Sequence, residues 1–313
     1  MTVRVAWLFP GQGSQHVGMG KQLAERFAAA AHVFDEASDA LGLDLRKIAW
    51  DSPAEELDQT INAQPALLAA SMAAFASARQ AVGHDLPEPV AVAGHSLGEY
   101  SAIVAAGALS LSDGARLVRR RGALMQSVAD GGGQRGGMAA VIGLDAWTIS
   151  GALEGGPFVI ANDNAPGQVV ISGPLDAIPA ATKSLKAAGA KRVIPLRVSG
   201  AFHSPAMRAV APKLAAAIAS ARWDPLRSPI VANVDAQAHE HARDMPGLLE
   251  QQVSSPVRWV DVIRRADDMV ADAYIEFGPG SVLTSLIKKI VPDARTANVN
   301  DAATLEASLD LLR

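Results

Sequence analysis

The chain has 313 residues, 49% of them hydrophobic and 19% charged, with a formal net charge of −4 and no cysteine. That length and balance describe a globular protein of one large or two smaller α/β units. Disulfides, thiolate catalysis and cysteine-ligated metals are excluded, and the acidic balance argues against wholesale nucleic-acid binding.

Residues 3–9 read as a buried strand that ends at Pro10-Gly11-Gln12-Gly13-Ser14. Their apolar run is too short for a signal peptide. Residues 20–42 carry helical periodicity through Leu23, Phe27, Ala30, Phe34 and Leu41. Ser52 followed by Pro53 and Glu55 predicts a capped helix start, and a longer helix is expected over 64–82. Residues 89–93 are short and apolar enough for a buried strand, and an alanine-rich helical stretch begins at Glu99.

Between these two lies Gly94-His95-Ser96-Leu97-Gly98, which matches the G-x-S-x-G nucleophile elbow in the strand–turn–helix context that the motif requires. An ordinary glycine-rich turn is the plain alternative. In the elbow reading, the hydroxyl of Ser96 stands at a helix N-terminus, where the first amides can hold an oxyanion. The stretch 90–111 contains His95, Glu99 and several glycines, so it reads as buried core rather than a membrane span. A cytoplasmic enzyme is the expected class.

The glycine run 131–137 lacks both a leading strand and a Gly-Lys-Ser/Thr ending, so a flexible hinge is expected rather than a phosphate loop. Beyond it, strands at 138–144, 158–161, 168–172 and 191–198 alternate with helices at 145–153 and 175–188. That β-α-β-β-α-β order predicts a ferredoxin-like subdomain over 131–198, inserted into a core of 1–130 and 199–313. Returning core strands are expected at 229–234 and 273–277. The fold class is thus α/β: a hydrolase-like core with a mostly parallel sheet flanked by helices, plus an inserted α+β subdomain.

A serine hydroxyl needs a base. His203, in Gly200-Ala201-Phe202-His203, follows the last insert strand and so falls at the junction where a cleft is expected. His239 and His241 lie in a polar segment without a third ligand, so no metal site is expected. His16, His32 and His84 read as surface residues, and His95 as an element of the turn.

Three motifs in order, Phe9-Pro10-Gly11-Gln12-Gly13-Ser14-Gln15, Gly94-His95-Ser96-Leu97-Gly98-Glu99-Tyr100 and Gly200-Ala201-Phe202-His203, resemble those of malonyl-CoA:acyl-carrier-protein transacylases. Arg121-Gly122-Ala123-Leu124-Met125, the stretch from Asn164 to Gly173 and Glu276-Phe277-Gly278-Pro279-Gly280 fit the same family, so the similarity covers about residues 5–290. The resemblance implies Ser96 as nucleophile, His203 as its base, and the backbone N–H groups of Gln12 and Leu97 as the oxyanion hole. It implies that Arg121 grips the malonyl carboxylate and that the backbone carbonyl of Gln252 orients His203. Phe202 would favour malonyl over methylmalonyl groups, with Gly200 a small departure from the family pattern.

No bound cofactor or metal is implied. The substrate would be malonyl-CoA and the partner holo acyl carrier protein, which carries the phosphopantetheine; a monomer is expected. Lys183, Lys186, Lys191, Arg192 and Arg197, with Lys288 and Lys289 across the cleft, are candidates for a docking patch. Two alternatives stay open: an acyltransferase serving a polyketide or polyunsaturated fatty-acid synthase, and a serine hydrolase or thioesterase.

Overall fold

A computed structural model describes residues 3–83, 86–130 and 135–312. Its strands are β1 (Val5–Phe9), β2 (Pro89–Gly94), β3 (Gly136–Ile142), β4 (Val159–Ala165), β5 (Gln168–Pro174), β6 (Arg192–Pro195), β7 (Ile230–Val231), β8 (Ala238–His239), β9 (Ala273–Phe277) and β10 (Arg295–Val299). They form a six-stranded sheet in the order β10-β9-β1-β2-β7-β8 and a four-stranded sheet in the order β4-β5-β3-β6. In the larger sheet β8 alone pairs antiparallel.

β1 and β9 are buried along their whole length, the condition of a parallel sheet covered on both faces. Because strand side chains alternate, Val5, Trp7 and Phe9 enter one apolar cluster with the helix Thr60–Val82, while Ala6 and Leu8 enter another with the helices Trp259–Asp268 and Val282–Ile290. Pro65 lies inside the helix Thr60–Val82 and cannot donate to the carbonyl of Ile61. Arg119 Nη1 donates to that carbonyl instead, at 2.9 Å.

The smaller sheet is wholly antiparallel. With the helices Ala146–Ala152 and Ile178–Ala187 it makes the expected β-α-β-β-α-β unit around its own core of Ala139, Val141, Ile149, Val169, Ile171 and Leu185. The smaller sheet is tied through the backbone to the segment before the helix Trp259–Asp268: Val257 N–H donates to Ala161 O at 2.8 Å, and Asp163 N–H to Val257 O at 2.9 Å.

Several expectations need correction. The helical stretch 20–42 is two helices, Lys21–Arg26 and Ala28–Leu41, because Phe27 is extended. Ser52 does not cap the next helix: Pro53 occupies that position, and Ser52 Oγ donates to Lys47 O at 3.3 Å. Gly136 and Gly137 belong to β3, while 131–134 of the expected hinge lie outside the described residues, as does His84. The strand expected over 158–161 runs on as β4 to Ala165, which leaves only Pro166 and Gly167 before β5, and the strand expected over 229–234 is reduced to β7.

Candidate active site

β2 delivers the chain to Gly94, and the helix Gly98–Ala105 leaves it. The reversal between them is so tight that a Cβ on Gly94 would lie 1.9 Å from the carbonyl carbon of Gly98, and one on Gly98 would lie 2.0 Å from Phe9 O. Ser96 is held at φ +53°, a left-handed conformation that costs a non-glycine residue about 1–3 kcal/mol. Asn233 offsets that cost. Its Nδ2 donates to Gly94 O and its Oδ1 accepts from Ser96 N–H, both at 2.7 Å, so one side chain clamps both ends of the turn. Asn233 escapes sequence reasoning: an asparagine between Ala232 and Val234 carries no motif.

His203, itself at φ +54°, places Nε2 2.7 Å from Ser96 Oγ. Its Nδ1 lies 3.0 Å from Gln252 O and 3.0 Å from Ser255 O. Two carbonyls can only accept, so the proton sits on Nδ1 and Nε2 is free to take the serine's proton. Burial pushes the imidazole down to about 3, helped by the charge of Arg121 and by His95. His203 is therefore neutral at ordinary pH.

Arg121, from the helix Leu111–Asp130, is only 1% exposed. Its Nη2 donates to Ser96 Oγ at 3.1 Å and to Gln252 Oε1 at 2.9 Å, and its guanidinium lies 5.5 Å from the centroid of the Tyr100 ring. It forms no ion pair among the described residues, which is uncommon for a buried cation. Burial lowers its pKa, opposed by the charges of Tyr100 and Glu99.

The Gln252 side chain, which had no expected role, is wholly buried and donates through Nε2 to Ser96 O at 2.9 Å and Glu99 Oε2 at 2.6 Å. Burial raises the Glu99 carboxyl to about 7, against the hydrogen bonds from Gln252 and Asn233 and the charge of Arg121.

Ser96, Arg121 and His203 open on a cleft of about 500 Å³ between the two sheets, with Gln12 and Phe202 also among its walls. Leu97 is buried at the start of the helix behind the serine. His95 also faces the cleft; its Nε2 lies 2.7 Å from Asn164 Oδ1. His239 is bound to Asp235 at 3.1 Å, and among the described residues no group of three or more His, Cys, Asp or Glu side chains is placed to hold a metal. Of the basic candidates, Arg197 reaches the cleft, and Lys289 Nζ donates to Gln168 Oε1 at 2.8 Å. No described helix is long and apolar enough to cross a membrane.

Residues 6–306 match the acyl transferase domain family, and the class is that of an acyltransferase. The malonyl CoA-acyl carrier protein transacylase of Bacillus subtilis is 41% identical over 315 residues, covering 99% of this chain and 98% of that protein. The chain therefore belongs to the acyl transferase domain family, among its malonyl CoA-acyl carrier protein transacylases. A crystal structure of an acyl carrier protein S-malonyltransferase from Vibrio cholerae superposes with a TM-score of 0.89 at 42% identity, covering 97% of this chain and 99% of that one. A type II PKS acyl-carrier protein in complex with its malonyl-transacylase gives a TM-score of 0.92 at 41% identity, with 98% and 99% covered.

Proposed function

We propose that this chain moves the malonyl group from malonyl-CoA to the phosphopantetheine thiol of an acyl carrier protein, through an ester on Ser96, and so supplies fatty-acid chain extension. The observation that carries the reading is the buried Arg121, without an ion pair among the described residues and hydrogen-bonded to Ser96 Oγ. A buried cation beside a nucleophile fits an acyl group that brings its own carboxylate.

In the first half-reaction His203 Nε2 takes the Ser96 proton while Oγ bonds to the thioester carbonyl carbon. Ser96 N–H is already engaged by Asn233. By the family resemblance, the oxyanion goes to the backbone N–H groups of Leu97, at the helix start, and of Gln12 across the cleft. The C–S bond then breaks, and the proton on His203 goes to the CoA sulfur. In the second half-reaction the carrier thiol gives its proton to His203 as sulfur attacks the ester, and Ser96 leaves with that proton.

Arg121 holds the free carboxylate throughout. The carbonyls of Gln252 and Ser255 keep His203 in the tautomer required, a dyad oriented without a carboxylate. Phe202 fills the wall where an α-methyl would sit, a discrimination worth about 1–3 kcal/mol.

In this reading no cofactor is resident, and the enzyme works as a cytoplasmic monomer built of a core (1–130 and 199–313) and a small subdomain (131–198). The separate apolar core of the small sheet supports that division. A second reading, polyketide chain extension, draws on the equal likeness to the type II PKS complex. Discharge of the acyl-enzyme to each kind of carrier separates the two.

Intact-protein mass spectrometry after brief mixing with malonyl-CoA tests the mechanism. Wild type should gain one malonyl group that holo carrier protein removes, and Ser96→Ala should gain none. Free malonate with no adduct and no transfer would replace the transferase by a hydrolase.

A further inference from the structure

Behind the nucleophile lies a buried carboxyl that the mechanism above does not use. Glu99 is wholly buried one turn beyond Ser96, its Oε2 accepting from Gln252 Nε2 at 2.6 Å and from Asn233 N–H at 3.4 Å. Its Oε1 has no partner among the described residues. The Gln252 amide continues the chain: Oε1 accepts from Arg121 Nη2, and Nε2 also reaches the carbonyl of Ser96. Glu99 and Arg121 are thus joined by a single amide, with no water path needed between them. We propose that Glu99 is a positioning residue for the acyl-carboxylate site: through the Gln252 side chain it holds Arg121 against Ser96, and its charge sets how strongly Arg121 attracts an acyl carboxylate.

The proposal rests on the reading of Arg121 as the carboxylate grip. Two carboxylates that share one buried guanidinium oppose one another. With Glu99 protonated, the charge of Arg121 is free for the substrate. With Glu99 ionised, part of it is already offset. The groups that face Glu99 electrostatically are Arg121 and Asp235, with Tyr100 beside it in the chain. Near pH 7 Arg121 stays charged, Tyr100, pushed up to about 12, stays neutral, and His203 stays unprotonated. Glu99, raised to about 7 chiefly by burial, is the member of this network that changes charge there. The malonyl carboxylate is fully ionised above pH 6.

The test is the ratio of kcat/KM for malonyl-CoA to that for acetyl-CoA in acylation of Ser96, followed from pH 6 to pH 8. Taking the ratio cancels the pH dependence that both substrates share. In wild type the ratio should fall on the order of tenfold across that window, the size of an ordinary coupling between two sites.

Glu99→Gln keeps an oxygen for the Gln252 amide but cannot ionise. Its ratio should stay flat and exceed that of wild type at pH 8. Arg121→Ala should give a low ratio at every pH. An unchanged ratio in Arg121→Ala removes the carboxylate grip itself. A low, flat ratio there, with Glu99→Gln following the wild-type slope, keeps the grip and overturns the role of Glu99. If Glu99→Gln does not fold, a wild-type ratio that is level from pH 6 to 8 overturns the proposal by itself.

Discussion

Ser96 Oγ is held between an acceptor, His203 Nε2, and a donor, Arg121 Nη2, at 2.7 and 3.1 Å. Arg121→Ala should lower the malonyl-to-acetyl ratio of kcat/KM roughly a hundredfold, the loss expected for charge-assisted hydrogen bonds. Arg121→Lys should restore little, since an ammonium cannot reproduce the planar fork. His203 also ties stability to pH. Its folded value, about 3, lies below the ordinary 6.5, so between those values the native state binds fewer protons than the unfolded chain. That contribution is present above pH 6.5 and is lost as pH falls toward 3. Glu99 acts in the opposite sense: its folded value is raised from 4.5 to about 7, so its contribution is present below pH 4.5 and lost as pH rises through about 7. Urea unfolding of wild type and His203→Gln from pH 4 to 6.5 isolates the first effect. The stability advantage of wild type should shrink with falling pH, by on the order of a few kcal/mol in total.

Elements set these residues in place through contacts that leave no room for extra atoms. Gly98→Ala would drive a methyl group onto Phe9 O at the end of β1, so backbone must move in both the strand and the helix. The expected result is a loss of more than about 3 kcal/mol or an unfolded protein, read from the urea midpoint. Opposite the elbow, Glu276 at the end of β9 accepts from the N–H groups of Leu283 and Thr284 at 3.1 and 2.8 Å, capping the helix Val282–Ile290 that lines the cleft. Glu276→Ala should cost about 1–3 kcal/mol by thermal or urea unfolding. The tight elbow is visible in sequence as paired glycines. The cap is not, because Glu276 and its helix are separated by a turn whose direction no local pattern gives.

At the scale of the whole molecule, the cleft exists because the small sheet is locked to the core. The two bonds between β4 and Val257 lie beside Asn162 and Asn164, which approach His95 across the junction. Val257→Pro removes the N–H that reaches Ala161 and should lower stability by about 1–3 kcal/mol, with slower discharge of the acyl-enzyme to carrier protein. Unfolding curves and single-turnover transfer measure the two effects separately.

The sequence alone determined what short-range physics controls: most of the buried strands, the strained serine turn and the β-α-β-β-α-β order of the insert. Periodicity and glycine placement act over a few residues and can be read in order along the chain. It overreached at Phe27, whose apolar ring fits a helical stripe although its backbone is extended. Only the tertiary structure decided which distant groups meet. Ser96 and His203 are 107 positions apart, and Ser96 and Asn233 are 137 apart. Their convergence depends on how parallel strands order themselves in the sheet. The buried chain from Glu99 through Gln252 to Arg121 was illegible for the same reason: polar side chains that satisfy one another in the interior carry no periodic signal, and burial, which gives them their chemistry, is a property of the folded molecule.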